Sequence, residues 1–128
     1  MNLVVGATGL VGGEICRRLA ANQKPVRALV RPTGDESRIA ELRHSGAELV
    51  TGDLKDPASI EAACAGATAV LSTAASMLSR QPGDTIDGVD RLGQLQLVEA
   101  ARAAGVKHFV YVSFSPIAQD FALQPSAK

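Results

Sequence analysis

Three glycines spaced three apart, in Gly6-Ala7-Thr8-Gly9-Leu10-Val11-Gly12, follow the apolar run Leu3-Val4-Val5 and lead into the helix-patterned stretch Glu14-Ile15-Cys16-Arg17-Arg18-Leu19-Ala20. A strand that reverses into a helix around a pyrophosphate needs one glycine for the bend, a second where backbone meets phosphate, and a third where the helix lies against the sheet. The first helical turn then offers free amides and the positive end of its dipole to the anion. The spacing is GxxGxxG and not the GxGxxG of the common dinucleotide fingerprint, so a strand-to-helix turn with no ligand stays open as the alternative.

The same alternation continues along the chain. Residues 2 to 6 read as the first strand and 10 to 22 as the first helix, and Pro25 opens the extended run Val26 to Val30. Asp35 to Ser45 reads as the second helix, and Ala47 to Val50 as a short strand ending at Gly52-Asp53. Asp56-Pro57 has the form of an N-cap followed by proline at the first helical position, opening a helix to about Cys64. Ala69 to Thr73 is the fourth strand, Asp87 to Ala104 a long helix stopped by Gly105, and His108 to Ser113 the fifth strand. Right-handed crossovers between such units predict an α/β fold, a doubly wound parallel sheet of five strands in the order 3-2-1-4-5. Ligands are then expected at the carboxyl ends of the strands, where the winding direction switches. Met77 to Asp84 reads either as a loop over that edge or as a solvated connection, and Phe114 to Lys128 has little periodicity.

Composition bounds the rest. A chain of 128 residues with 46% apolar but only 3% aromatic residues fits one domain, residues 1–128, built from aliphatic helix-on-sheet packing. Thirteen basic and thirteen acidic side chains cancel, so no global field recruits nucleic acid or an anionic membrane. Cys16 and Cys64 lack metal-ligand spacing and read as small buried thiols, and His44 and His108 have no partner at metal or triad spacing, so no metal is expected. The first residues carry no basic n-region, and no stretch approaches eighteen uninterrupted apolar residues, which leads us to expect a cytoplasmic protein.

The run GATGLVGG, Val30-Arg31-Pro32, the block Gly52-Asp53-Leu54-Lys55-Asp56-Pro57-Ala58-Ser59, Ala67 to Ala74, and Ala100 to Ser113 together resemble the NmrA-like, atypical short-chain dehydrogenase/reductase family. The likeness covers nearly the whole chain but only about the N-terminal half of a usual member, so a chain truncated before the substrate-binding half is expected. By this resemblance Gly6, Gly9 and Gly12 cradle the pyrophosphate of a nicotinamide dinucleotide, lined by Thr8, Leu10 and Val11. Arg31 faces the adenosine ribose, Asp53 and Leu54 the adenine, and Thr73, Ala74 and Ala75 the nicotinamide-side ribose. On the residues alone, Asp53 also reads as the cap of the turn that follows it.

Hydride transfer in typical short-chain dehydrogenases uses a serine, a tyrosine and a lysine, and this sequence contains no YxxxK. Ser113 stands where the family places its serine and Lys128 close to where similar proteins carry a lysine, which makes them the catalytic candidates that the resemblance implies; Tyr111 lies inside a strand pattern. The resemblance therefore implies the cofactor domain of an oxidoreductase, with a non-catalytic dinucleotide-binding redox sensor or regulator as the alternative. At the end of the second strand a carboxylate favours NAD and an arginine can pair with a 2′-phosphate, so Arg31, with Arg38 nearby and no acid before Asp35, favours NADP(H). A sheet ending at its fifth strand leaves an edge that invites a second copy, hence an expected homo-oligomer.

Overall fold

The computed structural model describes residues 1–32, 34–73 and 92–112. Its elements follow in the order β1 (Asn2–Val5), α1 (Leu10–Ala21), β2 (Val26–Val30), α2 (Glu36–His44), β3 (Glu48–Thr51), α3 (Pro57–Cys64), β4 (Ala69–Ser72), α4 (Gln94–Ala103) and β5 (His108–Tyr111). All strand pairs are parallel and the sheet order is β3-β2-β1-β4-β5, as the alternation predicts. β2 has its expected bounds, β3 is shifted one residue on, and β1, β4 and β5 end a residue or two before their apolar runs, where the terminal residues turn into the connections. The loop expected over 77–84, the start of the long helix, and everything from Ser113 onward lie outside the described residues.

β1 is buried on both faces, as a central parallel strand must be, and its side chains alternate between two cores. Leu3 and Val5 join Leu29, Ile60, Cys64, Val70 and Leu97 under α3 and α4. Val4 joins Cys16, Ala28, Val30 and Leu42 under α1 and α2. The helices dock through apolar positions at helical spacing: Gly12, Ile15, Cys16 and Leu19 in α1, Ile60, Ala63 and Cys64 in α3, and Leu97, Ala100 and Ala101 in α4. Helices on opposite faces either side of β1 are the doubly wound arrangement, and they put the winding switch at the carboxyl end of β1.

Local chemistry sets the helix limits. The Asp35 carboxylate accepts from the Ser37 and Arg38 amides and starts α2. Asp56 stands at the N-cap of α3 with Pro57 after it, but its side chain makes no capping bond. The Ser59 hydroxyl lies 2.8 Å from the Asp56 carbonyl and 3.1 Å from that of Asp53, which ties the first turn of α3 to the loop before it without capping the helix amides. Gly105 ends α4 at φ +80°, a conformation that costs other residues a Cβ clash.

Cys16 and Cys64 are free and fully buried, as expected of small core thiols. Burial pushes the Cys16 thiol up to about 11 and raises that of Cys64, against which the nearby Arg27 pulls the other way.

Arg27 is the one cation of β2 that the sheet itself uses. Its Nη1 donates to the carbonyls of Ala63 (2.7 Å) and Ala65 (2.6 Å), closing the C-terminal end of α3, and its Nε reaches Glu48 Oε1 at 3.3 Å. A cation there satisfies orphan carbonyls and complements the helix dipole. Arg27→Met, which keeps the apolar stem, should lower the unfolding free energy by about 2–3 kcal/mol in urea denaturation. A loss below about 0.5 kcal/mol would show that water replaces the guanidinium without penalty.

Candidate functional site

The turn between β1 and α1 uses its three glycines in three different ways. Gly6 sits at φ +84°, and the Gly9 amide closes the turn on the Gly6 carbonyl at 3.0 Å. At Gly12 a Cβ would lie 2.1 Å from the Gly6 oxygen and 2.7 Å from its carbon, so only glycine lets α1 rest on the turn. Gly9 is different. Its φ of −78° and ψ of 173° suit any residue, and a Cβ there would meet only the Gly6 oxygen, at 3.3 Å.

Gly9 is the N-cap of α1, and no side chain caps this helix. The first intrahelical bond at this end runs from the Gly13 amide to the Gly9 carbonyl (2.9 Å), so the amides of the first turn face outward at the carboxyl edge of the sheet. Leu10, 83% exposed, and Val11 flank them as apolar side chains in the open. The nearest acid, Glu14, bonds Arg17 and Arg18, which hold its carboxyl at about 2 and offset its charge beside the anion-attracting end of the helix.

Neighbouring strand ends bring the other predicted residues to the same edge. Thr73, just past β4, donates its amide to the Val5 carbonyl (2.9 Å), and its hydroxyl lies 3.1 Å from that oxygen and 3.3 Å from the Gly6 carbonyl. Thr73 thus holds the turn from the β4 side. Thr8 is tied from the β2 side, its carbonyl accepting from Arg38 Nη1 at 3.2 Å. Arg31, directly after β2, and Asp53, two residues after β3, form an ion pair in which Nε and Nη2 each stand 3.2 Å from Oδ2. Asp53 Oδ1 accepts the Lys55 amide at 2.9 Å, the turn-capping role that its residue type allowed. Leu54 is buried in the core beneath α3. Ala74, Ala75, Ser113 and Lys128 lie outside the described residues.

Three contributors escaped the sequence reading. Gly52 has no room for a side chain, since a Cβ would lie 2.8 Å from Leu29 Cδ1 and 3.0 Å from Ser59 Oγ. The Ser59 hydroxyl accepts the Asp53 amide at 3.0 Å and so fixes the loop that carries the carboxylate. Ser72, fully buried, donates to Gln94 Oε1 at 2.9 Å and pins the start of α4 to the end of β4. The spacing of Gly52-Asp53 to Ser59 was visible, but nothing local says that the serine folds back. Elsewhere, an open groove of about 820 Å³ runs between α3 and α4, past Glu61, Leu95 and Glu99, and shares no residue with the glycine turn. Among the described residues no group of three or more His, Cys, Asp or Glu could hold a metal ion.

The geometry separates Gly9 and Gly12 by stability. Gly12→Ala should destabilise the chain by about 1–3 kcal/mol through overpacking, whereas Gly9→Ala should change it by less than about 1 kcal/mol, as read by thermal unfolding. Equal losses at both positions would contradict the packing described.

The family model described as the NmrA-like family matches residues 2–126. A photosystem II assembly factor Ycf39 from Trieres chinensis is 38% identical over 117 residues, 91% of this chain and 35% of that protein. A short-chain dehydrogenase/reductase superfamily protein from Agrobacterium tumefaciens, solved with bound NAD, superposes with a TM-score of 0.70 at 34% identity, covering 88% of this chain and 32% of that one. The Citrobacter sp. triphenylmethane reductase, solved with NADP(H), gives a TM-score of 0.67 at 28% identity, covering 91% and 38%. The chain spans about a third of the length of the curated relatives it matches.

Proposed function

The chain belongs to the NmrA-like family, and on that premise we propose that it is the cofactor-binding part of an atypical short-chain dehydrogenase/reductase, with NADP(H) as the favoured dinucleotide. The observation that carries the reading is Gly9. Its backbone angles suit any residue and a Cβ would meet only the Gly6 oxygen, at a tight 3.3 Å, so what glycine chiefly provides there is open backbone at an uncapped helix N-terminus, where a pyrophosphate would approach. Gly6 and Gly12 would shape that cradle, Thr8, Leu10 and Val11 line it, and Asp53 with Leu54 stand on the adenine side. Thr73, Ala74 and Ala75 would face the nicotinamide-side ribose, with Ser113 and Lys128 the catalytic candidates. The bound cofactor would supply the hydride, and these residues would hold it and exclude water.

Relatives solved with NAD and with NADP(H) both fit such a site, so the preference rests on this chain's own charges. Arg31, directly after β2, and Arg38, in the first turn of α2, are the two guanidiniums on the β2 side of the turn that a 2′-phosphate would pair with. A non-catalytic dinucleotide-binding module is the second reading, favoured by the assembly-factor relative and by Tyr111, a half-exposed side chain inside β5 with Ser115 four residues on. Both readings share the binding step. A cytoplasmic location, supported by two unpaired cysteines, and self-association through the exposed Val110 to Val112 segment belong to the same proposal.

Isothermal titration of the chain tests it. Gly9→Val should abolish binding of both dinucleotides in a folded protein, and Arg31→Ala should weaken NADPH about tenfold while moving NADH less than about threefold. Equal affinity of the unmodified chain for NADPH and NADH would contradict the role of Arg31.

A further inference from the structure

Arg31 does not stand free at the edge of the sheet. Its guanidinium puts Nε and Nη2 at 3.2 Å from one oxygen of Asp53, in a pair whose side chains are only 25% and 23% exposed. That carboxylate is itself fixed: Oδ1 accepts the Lys55 amide, the Asp53 amide donates to Ser59 Oγ, and Lys55 Nζ lies 4.0 Å from Oδ2. A carboxylate fixed by the Lys55 amide of the β3–α3 loop therefore holds the very cation that would read a phosphate.

We propose that Asp53 sets the selectivity between phosphorylated and unphosphorylated adenosine ribose, by holding Arg31 in a fixed carboxylate pair with which a 2′-phosphate must compete. The inference rests on the reading of Arg31 given above and adds a second specificity-determining residue to it. The charge balance gives the sign. Arg31 and Lys55 stand against Asp53, and Arg38, whose helix the Asp35 carboxylate caps, reaches the glycine turn, so the Asp53 charge directly offsets the cations that a phosphate of about −1.5 to −2 would meet. Neutralising Asp53 strengthens the field felt by the phosphate and leaves a plain ribose almost unaffected, and it removes the partner that Arg31 would have to share. The effect is tempered by solvent, because the pair is partly exposed.

Asp53→Asn is the direct test, since the asparagine oxygen still accepts the Lys55 amide and keeps the loop closed. The readout is the ratio of the NADH to the NADPH dissociation constant, which cancels any common loss on the adenine side. The ratio should rise about threefold to tenfold in low salt, and the rise should shrink as ionic strength increases. The pair 5′-AMP and 2′,5′-ADP should reproduce it. If Asp53→Asn unfolds the chain, Asp53→Ser, which keeps an oxygen for the Lys55 amide, reads the same ratio. An unchanged or lower ratio overturns the proposal, a lower one meaning that Asp53 aims Arg31 at the phosphate. Arg31→Ala separates the two levels. If it collapses the ratio while Asp53→Asn leaves it unchanged, only the role of Asp53 fails; if it leaves the ratio untouched, the reading of Arg31 fails and takes this inference with it.

Discussion

The structure depends on one close approach, that of Gly12 to the carbonyl of Gly6. With no Cβ between them, α1 lies directly on the turn that leaves β1, and a side chain at that position would sit 2.1 Å from a backbone oxygen. Everything at the carboxyl edge follows from this contact. It aims the uncapped first turn of α1 outward beside β1, the strand that has β2 on one side and β4 on the other. The turn is then held from both flanks, by Thr73 on the Val5 and Gly6 carbonyls and by Arg38 on the Thr8 carbonyl. A phosphate-sized ligand would thus meet donors already in place, and preorganised donors bind without the cost of ordering a loop.

How much of this the sequence disclosed depends on the range of the interaction. The strand order was legible because apolar runs, helix periodicity and right-handed crossovers leave little choice once five strands alternate with helices. The bend at Gly6 and the packing at Gly12 were legible for the same reason, since both are local demands of a strand that turns into a helix. What stayed hidden were contacts between segments distant in sequence. Nothing near Arg27 says that its guanidinium closes α3, 36 residues away, and nothing near Arg31 says that it meets Asp53, 22 residues on. Asp56 carries the residue type and spacing of a capping side chain, yet it makes no capping bond, and nothing near Ser59 says that its hydroxyl folds back onto the Asp53 amide.

The site is also an example of local charge in a chain with no net charge. Thirteen cations and thirteen anions cancel overall, but Arg31 and Lys55 both stand against Asp53, and Arg38, on a helix capped by the Asp35 carboxylate, reaches the Thr8 carbonyl of the glycine turn. Such local charge attracts a phosphate at short range and exerts little pull at a distance, because salt screens beyond about 8–10 Å. It suits recognition of a small phosphorylated ligand.

The central claim is that the amides at the start of α1 receive the pyrophosphate. A ¹H–¹⁵N correlation spectrum of the chain, recorded while NADPH is added, tests it most directly. The account predicts that the largest shifts fall on the amides of Gly9, Leu10, Val11 and Gly12, with smaller ones at Arg31, Asp53 and Thr73. Shifts concentrated along the groove between α3 and α4, around Leu95 and Glu99, with the glycine turn unmoved, would contradict it.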